Sequence, residues 1–203
     1  MSRNCYDESD LLDIDMCEIE DDFIQFKFLQ HDAWKKEKIP IKSTIMNCFD
    51  EYLAGERKDP NNVIPVCLGA GSLPPETQAQ RRFALEKYKS TDPMQGLSVV
   101  FTISFNKDVY CMCATSKMEI SFKKESSPES ISGSKSEIVF FTQRFSPGHA
   151  AYKFESSLFK DYFLAIKEEN NKRTLYLKKP IDEVDEMTKF NMNSRAKSKQ
   201  DGR

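Results

Sequence analysis

Leu97, Val99, Phe101, Ile103 and Phe105 alternate with Ser98, Val100, Thr102, Ser104 and Asn106, a two-residue period with one lapse at Val100. Successive side chains of a strand point to opposite faces, whereas a helix repeats every 3.6 residues, so this rhythm predicts a strand. The rhythm recurs. Met118, Ile120 and Phe122 alternate with Glu119, Ser121 and Lys123, and Tyr152 and Phe154 with Lys153 and Glu155. Further strands are predicted over 39–46, 62–68, 137–145, 162–166, 174–178 and 188–192, with one face apolar and the other wet. Asn106-Lys107-Asp108 and Glu169-Asn170-Asn171-Lys172 supply turn chemistry between neighbouring strands. Loops are expected over 55–61, 69–75, 90–96 and the Ser-rich 125–136. Residues 76–89 fit helical spacing as well as a strand; we read a strand from about Arg82 with a short helical turn before it. Short strands with frequent turns point to an all-β antiparallel sandwich or barrel.

Charge divides the chain. Among residues 1–32 there are ten acidic side chains against Arg3 and Lys27, a net of −8; the other 22 acidic and 28 basic residues give 33–203 a net of +6. The acidic segment reads either as a solvated tail or as a mask over a basic body, removed to change the field an acidic partner sees. Residues 194–203 carry Arg195, Lys197, Lys199 and Arg203 with no apolar residue larger than Ala196, and are expected to be a disordered basic tail. Four spaced charges without aromatic partners make a poor nucleic-acid arm. No stretch approaches the roughly 20 apolar residues that span a bilayer, and the acidic start lacks a secretory h-region. Cytosolic synthesis is therefore expected, with neither nucleic acid nor membrane as partner.

Six scattered cysteines read as free thiols rather than staples; Cys111-Met112-Cys113 lacks zinc spacing. His31 and His149 are the only histidines, and neither sits in a nucleophile motif. Gly69-Ala70-Gly71 lacks the Lys and Ser/Thr of a phosphate loop. No enzyme, cofactor or metal is expected.

Phe154-Glu155-Ser156-Ser157 followed by Tyr162-Phe163-Leu164-Ala165 resembles the signature of the interleukin-1 family, in the wording of its interleukin-18 branch. Ser136-Glu137-Ile138-Val139-Phe140-Phe141 and Pro147-Gly148-His149 upstream, and Leu175-Tyr176-Leu177-Lys178-Lys179 downstream, extend the likeness, as do Tyr88-Lys89 and Ile120-Ser121-Phe122-Lys123. Lys160 and Ile166 depart from the broad pattern. The resemblance implies a β-trefoil of twelve short strands, a barrel closed by a hairpin triplet around an apolar interior. It implies a pro-inflammatory cytokine precursor, monomeric and secreted without a signal peptide, with 1–32 a disordered or loosely packed acidic propeptide, 33–193 the cytokine domain and 194–203 the tail.

Phe154, Ser156, Phe163, Leu164 and Ala165 carry the signature. Leu29-Gln30-His31-Asp32-Ala33 looks like an inflammatory-caspase site, with cleavage between Asp32 and Ala33; Asp22 before Phe23 competes with it. Polar flanks without strand pattern are expected to leave the bond accessible. Lys38, Ile39, Lys42, Lys89, Met94 and Gln95 align with residues that meet the receptor binding chain, and Lys89 with one that also meets a decoy binding protein; an accessory chain completes the receptor. The alternative is a trefoil carbohydrate- or protein-binding module, which usually repeats an aromatic sugar platform. The single Trp34 precedes the body, which argues against it. A third reading, an all-β enzyme, requires a cleft holding a strongly perturbed carboxylate.

Overall fold

The computed structural model describes residues 17–20, 23–26, 32–69, 71, 79–90, 96–169, 172–182 and 184–193. Among them the strands are β1 (Cys17–Glu20), β2 (Phe23–Phe26), β3 (Asp32–Lys36), β4 (Ile41–Met46), β5 (Tyr52–Asp59), β6 (Asn62–Leu68), β7 (Ala79–Gln80), β8 (Arg82–Ser90) and β9 (Leu97–Phe105). They continue as β10 (Asp108–Ala114), β11 (Ile120–Lys123), β12 (Ser130–Ser132), β13 (Phe140–Arg144), β14 (Tyr152–Ser156), β15 (Phe163–Glu169), β16 (Lys172–Lys178) and β17 (Asn191–Asn193), with one 3-10 turn at Glu186–Thr188. No described helix is long and apolar enough to cross a membrane.

β1 and β2 form a hairpin of their own; the other strands make one sheet in the order β16-β15-β14-β13-β9-β8-β4-β5-β6, with β10 and β11 branching from β9 and β12 joined through β3 to β8. The ends of that path, β6 and β16, pack together and curl the sheet into a nearly closed barrel. Leu177 N donates to Met118 O at 2.8 Å, and Tyr152 and Phe190 exchange bonds of 2.8 and 2.9 Å, tying later segments across the seam. Closure removes exposed strand edges, as the trefoil expectation requires. Asn106 takes φ +54, turning the chain from β9 into β10 at the expected turn, whose last residue, Asp108, already belongs to β10.

Inside the barrel Phe101 meets Phe154 at 5.0 Å, Phe140 at 5.6 Å and Phe83 at 6.3 Å, all edge to face, the arrangement that ring quadrupoles favour. Val99, Ile103 and Phe105 complete the predicted inner face of β9.

The outer face of β9 is the first correction. Ser98, Val100 and Thr102, expected to be wet, are buried, whereas Leu97, expected inside, is exposed. A second apolar cluster explains this: Trp34, Tyr88, Val100, Cys111, Cys113, Ile138 and Val139 pack on the outside of the sheet beneath β3 and β12. Trp34 therefore does not precede the body but is fully buried in it, its Nε1 donating to Ser98 Oγ at 3.2 Å.

Other expectations shift for local reasons. Residues 55–59, read as the start of a loop, belong to β5; Gly55 is small because a Cβ there would lie 3.0 Å from Val63 Cγ1 and 3.2 Å from Ile103 Cδ1, not because the chain turns. The Ser-rich loop contains β12, which is held by β3. Strand 137–145 begins only at Phe140, because Ile138 and Val139 serve the second cluster. Ala79 and Gln80, placed in a helical turn, pair with β5; residues 76–78 lie outside the described residues, as do the tail and most of the acidic segment.

Candidate functional site

Of the expected cleavage and receptor residues, Asp32, Ala33, Lys38 and Ile39 lie on β3 and its continuation, and Lys89 lies on the neighbouring β8. Trp34 opposes Ser90 of β8, Lys35 opposes Lys89 and Lys36 opposes Tyr88. On the other edge, β12 places Ser130 opposite Lys35, Ile131 opposite Trp34 and Ser132 opposite Asp32. Asp32 and Ala33 are thus the first residues of a paired strand, not part of the unpatterned segment expected from the sequence. Trp34 is the cause, because its indole fills the second cluster and draws the preceding backbone onto β12.

Alternation along β3 buries Trp34 and turns Lys35 to solvent. Lys36 is half-buried; its Nζ donates to Ser127 Oγ at 2.7 Å and lies 3.7 Å from Glu86 Oε2. Glu37 N then donates to Lys87 O at 2.8 Å, and the Lys87 ammonium lies 2.6 Å from Glu37 Oε2. That hydrogen bond holds the Glu37 carboxyl below the usual carboxylate range. Beside them the Tyr88 hydroxyl donates to Pro128 O, and burial pushes its pKa up to about 12.

These residues frame a groove of about 610 Å³ lined by Lys35, Lys36, Glu37, Lys38, Ile39, Lys87, Lys89 and Ser90. Five lysines against one glutamate leave the lining four charges positive. Ile39, an apolar β-branched side chain, is 74% exposed at its mouth. Isolated exposed apolar residues are ordinary, but this one stands beside clustered cations, the composition of a steering rim with a desolvated contact. Lys38, Ile39 and Lys89 thus line one groove. Lys42 is exposed on β4 opposite Ala84, outside the groove lining; Met94 and Gln95 lie outside the described residues. The sequence reading missed Lys35, Lys36 and Lys87. The available signals were the run Trp34-Lys35-Lys36-Glu37-Lys38 and the odd-numbered pair Lys87 and Lys89.

The signature residues sit elsewhere and build the fold. Phe154, Leu164 and Ala165 are fully buried. Ser156 Oγ accepts from the backbone of Leu158 at 3.2 Å and Phe159 at 3.3 Å, closing the β14-to-β15 connection. Phe163 is half-buried under the Lys153 ammonium, 4.9 Å from its ring centre. Ser157 Oγ donates to Ser136 O at 2.8 Å, anchoring the segment that leads into the second cluster.

Burial pushes the Cys67 and Cys111 thiols up to about 12, and Cys48 and Cys113 upward. No group of three metal-ligating side chains occurs among the described residues. At the exposed turn, Ser146 Oγ and His149 Nδ1 lie 2.7 Å apart, a contact that closes the turn.

Residues 73–192 match the family model described as Interleukin-1 / 18. The chain is 40% identical over 114 residues to interleukin-18 of Gallus gallus, covering 53% of this chain and 58% of the relative. It is 36% identical over 121 residues to that of Boselaphus tragocamelus, covering 59% and 61%, and 28% identical over 152 residues to that of Mus musculus, covering 75% of each. The matched region spans only about three fifths of the length of the first two relatives. Among solved structures, chicken cytokine interleukin 1 beta superposes with a TM-score of 0.55 at 15% identity, covering 79% of this chain and 99% of that one; the likeness carries the fold alone. The all-β barrel is a β-trefoil.

Proposed function

Since the chain belongs to the interleukin-1/interleukin-18 family, we propose that it is an interleukin-18-like pro-inflammatory cytokine precursor, a receptor ligand and not an enzyme. Cleavage by an inflammatory caspase after Asp32 releases residues 33–203, which leave the cell without a signal peptide. The mature monomer then engages an Ig-like receptor binding chain and afterwards an accessory chain, inducing inflammatory and interferon-γ signalling. A decoy binding protein competes for the same face.

The observation that supports this best is the groove, where Lys38, Ile39 and Lys89 share one surface immediately after the proposed cut. Cutting removes a segment of net charge −8 and leaves a body of net +6, strengthening attraction to an acidic ectodomain. Trp34 supports the position of the cut: it stands two residues after Asp32 and is anchored in the second cluster, so cleavage before it trims the chain while leaving that anchor in place. Its burial also argues against the carbohydrate-binding alternative, because an indole at 0% exposure offers no sugar platform.

The test is incubation of the full chain with an inflammatory caspase, followed by sequencing of the new N-terminus. The proposal expects Ala-Trp-Lys-Lys, and no such product from Asp32→Ala. An uncut wild type, or unchanged cutting in the variant, contradicts it.

A further inference from the structure

The groove holds an electrostatic arrangement that folding alone does not explain. Lys35 and Lys89 stand directly opposite each other on antiparallel strands, both exposed. Side chains so placed have Cβ atoms about 5 Å apart, and like charges in this position destabilise the sheet. The nearby Lys36 and Lys87 ammoniums are held by Glu86 and Glu37. Lys35 and Lys38 have no acidic partner among the described residues, and Lys89 feels only the longer-range attraction of Glu37, with no ion pair of its own. Three ammoniums without a contact ion pair thus line one concavity whose only lining carboxylate, Glu37, is already paired with Lys87.

We propose that this groove docks a sulfated glycosaminoglycan chain, with Lys35, Lys38 and Lys89 as the sulfate contacts. Three features select this partner among polyanions. The lining follows the end of β3 and the bend at Lys38 on one side and residues 87–90 of β8 on the other; at about 3.3 Å per residue the β8 stretch runs about 10 Å, room for successive sugar units of a linear chain. Every cation is a lysine, a point charge on a flexible stem that adapts to sulfates at irregular spacing along a chain. No aromatic side chain lines the groove, so the stacking that single-stranded nucleic acids require is missing. The net charge of +6 over residues 33–203 adds long-range attraction. The occupant would retain the protein near cell surfaces and matrix, and would compete with any protein partner of this face. The inference rests on the lysine geometry and is independent of the receptor reading: a chain that binds no receptor still tests it.

The experiment measures binding of the full chain to immobilised heparin as a function of salt. Wild type is compared with K35Q/K38Q/K89Q and with K107Q/K117Q/K172Q, which removes three exposed lysines elsewhere; thermal melts verify that both variants fold. The groove variant should lose at least tenfold in affinity, and the slope of log K against log salt should fall by about two to three, as counterion release prescribes for three lost contacts. The control variant should stay within about twofold of wild type, and desulfated heparin should not bind. Absence of wild-type binding, or equal losses in the two variants, overturns the site. Equal or tighter binding to phosphoinositide-bearing vesicles overturns the sulfated-chain assignment in favour of a lipid headgroup.

Discussion

Replacing Trp34 by alanine tests whether the second cluster fixes β3 to the barrel. The indole is fully buried among Tyr88, Val100, Cys111, Cys113, Ile138 and Val139, with Phe141 at 6.4 Å between ring centres. Truncating a buried Trp to Ala typically costs about 3–5 kcal/mol, combining lost transfer energy with the cavity left behind. For a chain of this size each kcal/mol lowers Tm by about 2–4 °C, so the expected fall is about 6–20 °C. Trp34→Phe separates ring from hydrogen bond: it keeps most of the apolar surface but orphans Ser98 Oγ, which now accepts from Nε1. That loss alone is worth about 1–2 kcal/mol. Urea unfolding followed by far-UV circular dichroism gives both values. Because Trp34 is the only tryptophan, wild-type emission also reports its environment and should be blue-shifted until unfolding. An alanine variant within about 1 kcal/mol of wild type, or a phenylalanine variant as unstable as alanine, would refute the reasoning.

Ser156→Ala removes the acceptor for two backbone N–H groups at the β14-to-β15 connection and should cost about 1–3 kcal/mol in urea unfolding; a neutral result would mean that water satisfies those donors. The Cys111 thiol, raised by burial from 9.0 to about 12, keeps its proton in the folded state where the unfolded chain has released it. Stability should therefore decline as pH rises from about 9 toward 12, and Cys111→Ala should flatten that decline; an unchanged alkaline slope contradicts the assignment. Native Cys67 and Cys111 should react far more slowly with iodoacetamide at neutral pH than after denaturation, because thiolate is the nucleophile; mass-resolved labelling at equal rates would dispose of this.

Strands whose single buried face is set by their own pattern were legible before the structure: the inner side of β9, β6 over 62–68, and the Asn106 turn. What escaped depends on partners distant in sequence. The period-two rule assigns one wet face to each strand, yet β9 is covered on both sides because Trp34, some 65 residues away, packs over Ser98 and Val100. Gly55 reads as a turn residue, whereas its small size answers the approach of Val63 and Ile103 across the barrel. The same long-range packing hid half the groove. Lys38, Ile39 and Lys89 carried a family likeness, but Lys35 gains meaning only from facing Lys89 across a ladder that no local pattern announces. The signature around Phe154 and Ser156 was plain in the sequence and proves architectural, because buried aromatics and turn-closing hydroxyls build the fold that displays the groove elsewhere.

The most direct test of the central claim compares receptor affinity before and after the cut. The Ig-like binding chain of an interleukin-18-type receptor is immobilised and offered the uncut chain, the chain cleaved after Asp32, and the cleaved chain carrying Lys38→Ala and Lys89→Ala. Cleavage should raise affinity at least tenfold, and the double substitution should reverse most of that gain, mainly through slower association with a reduced salt dependence. Equal binding by cut and uncut chains, or full binding without the two lysines, would contradict the account.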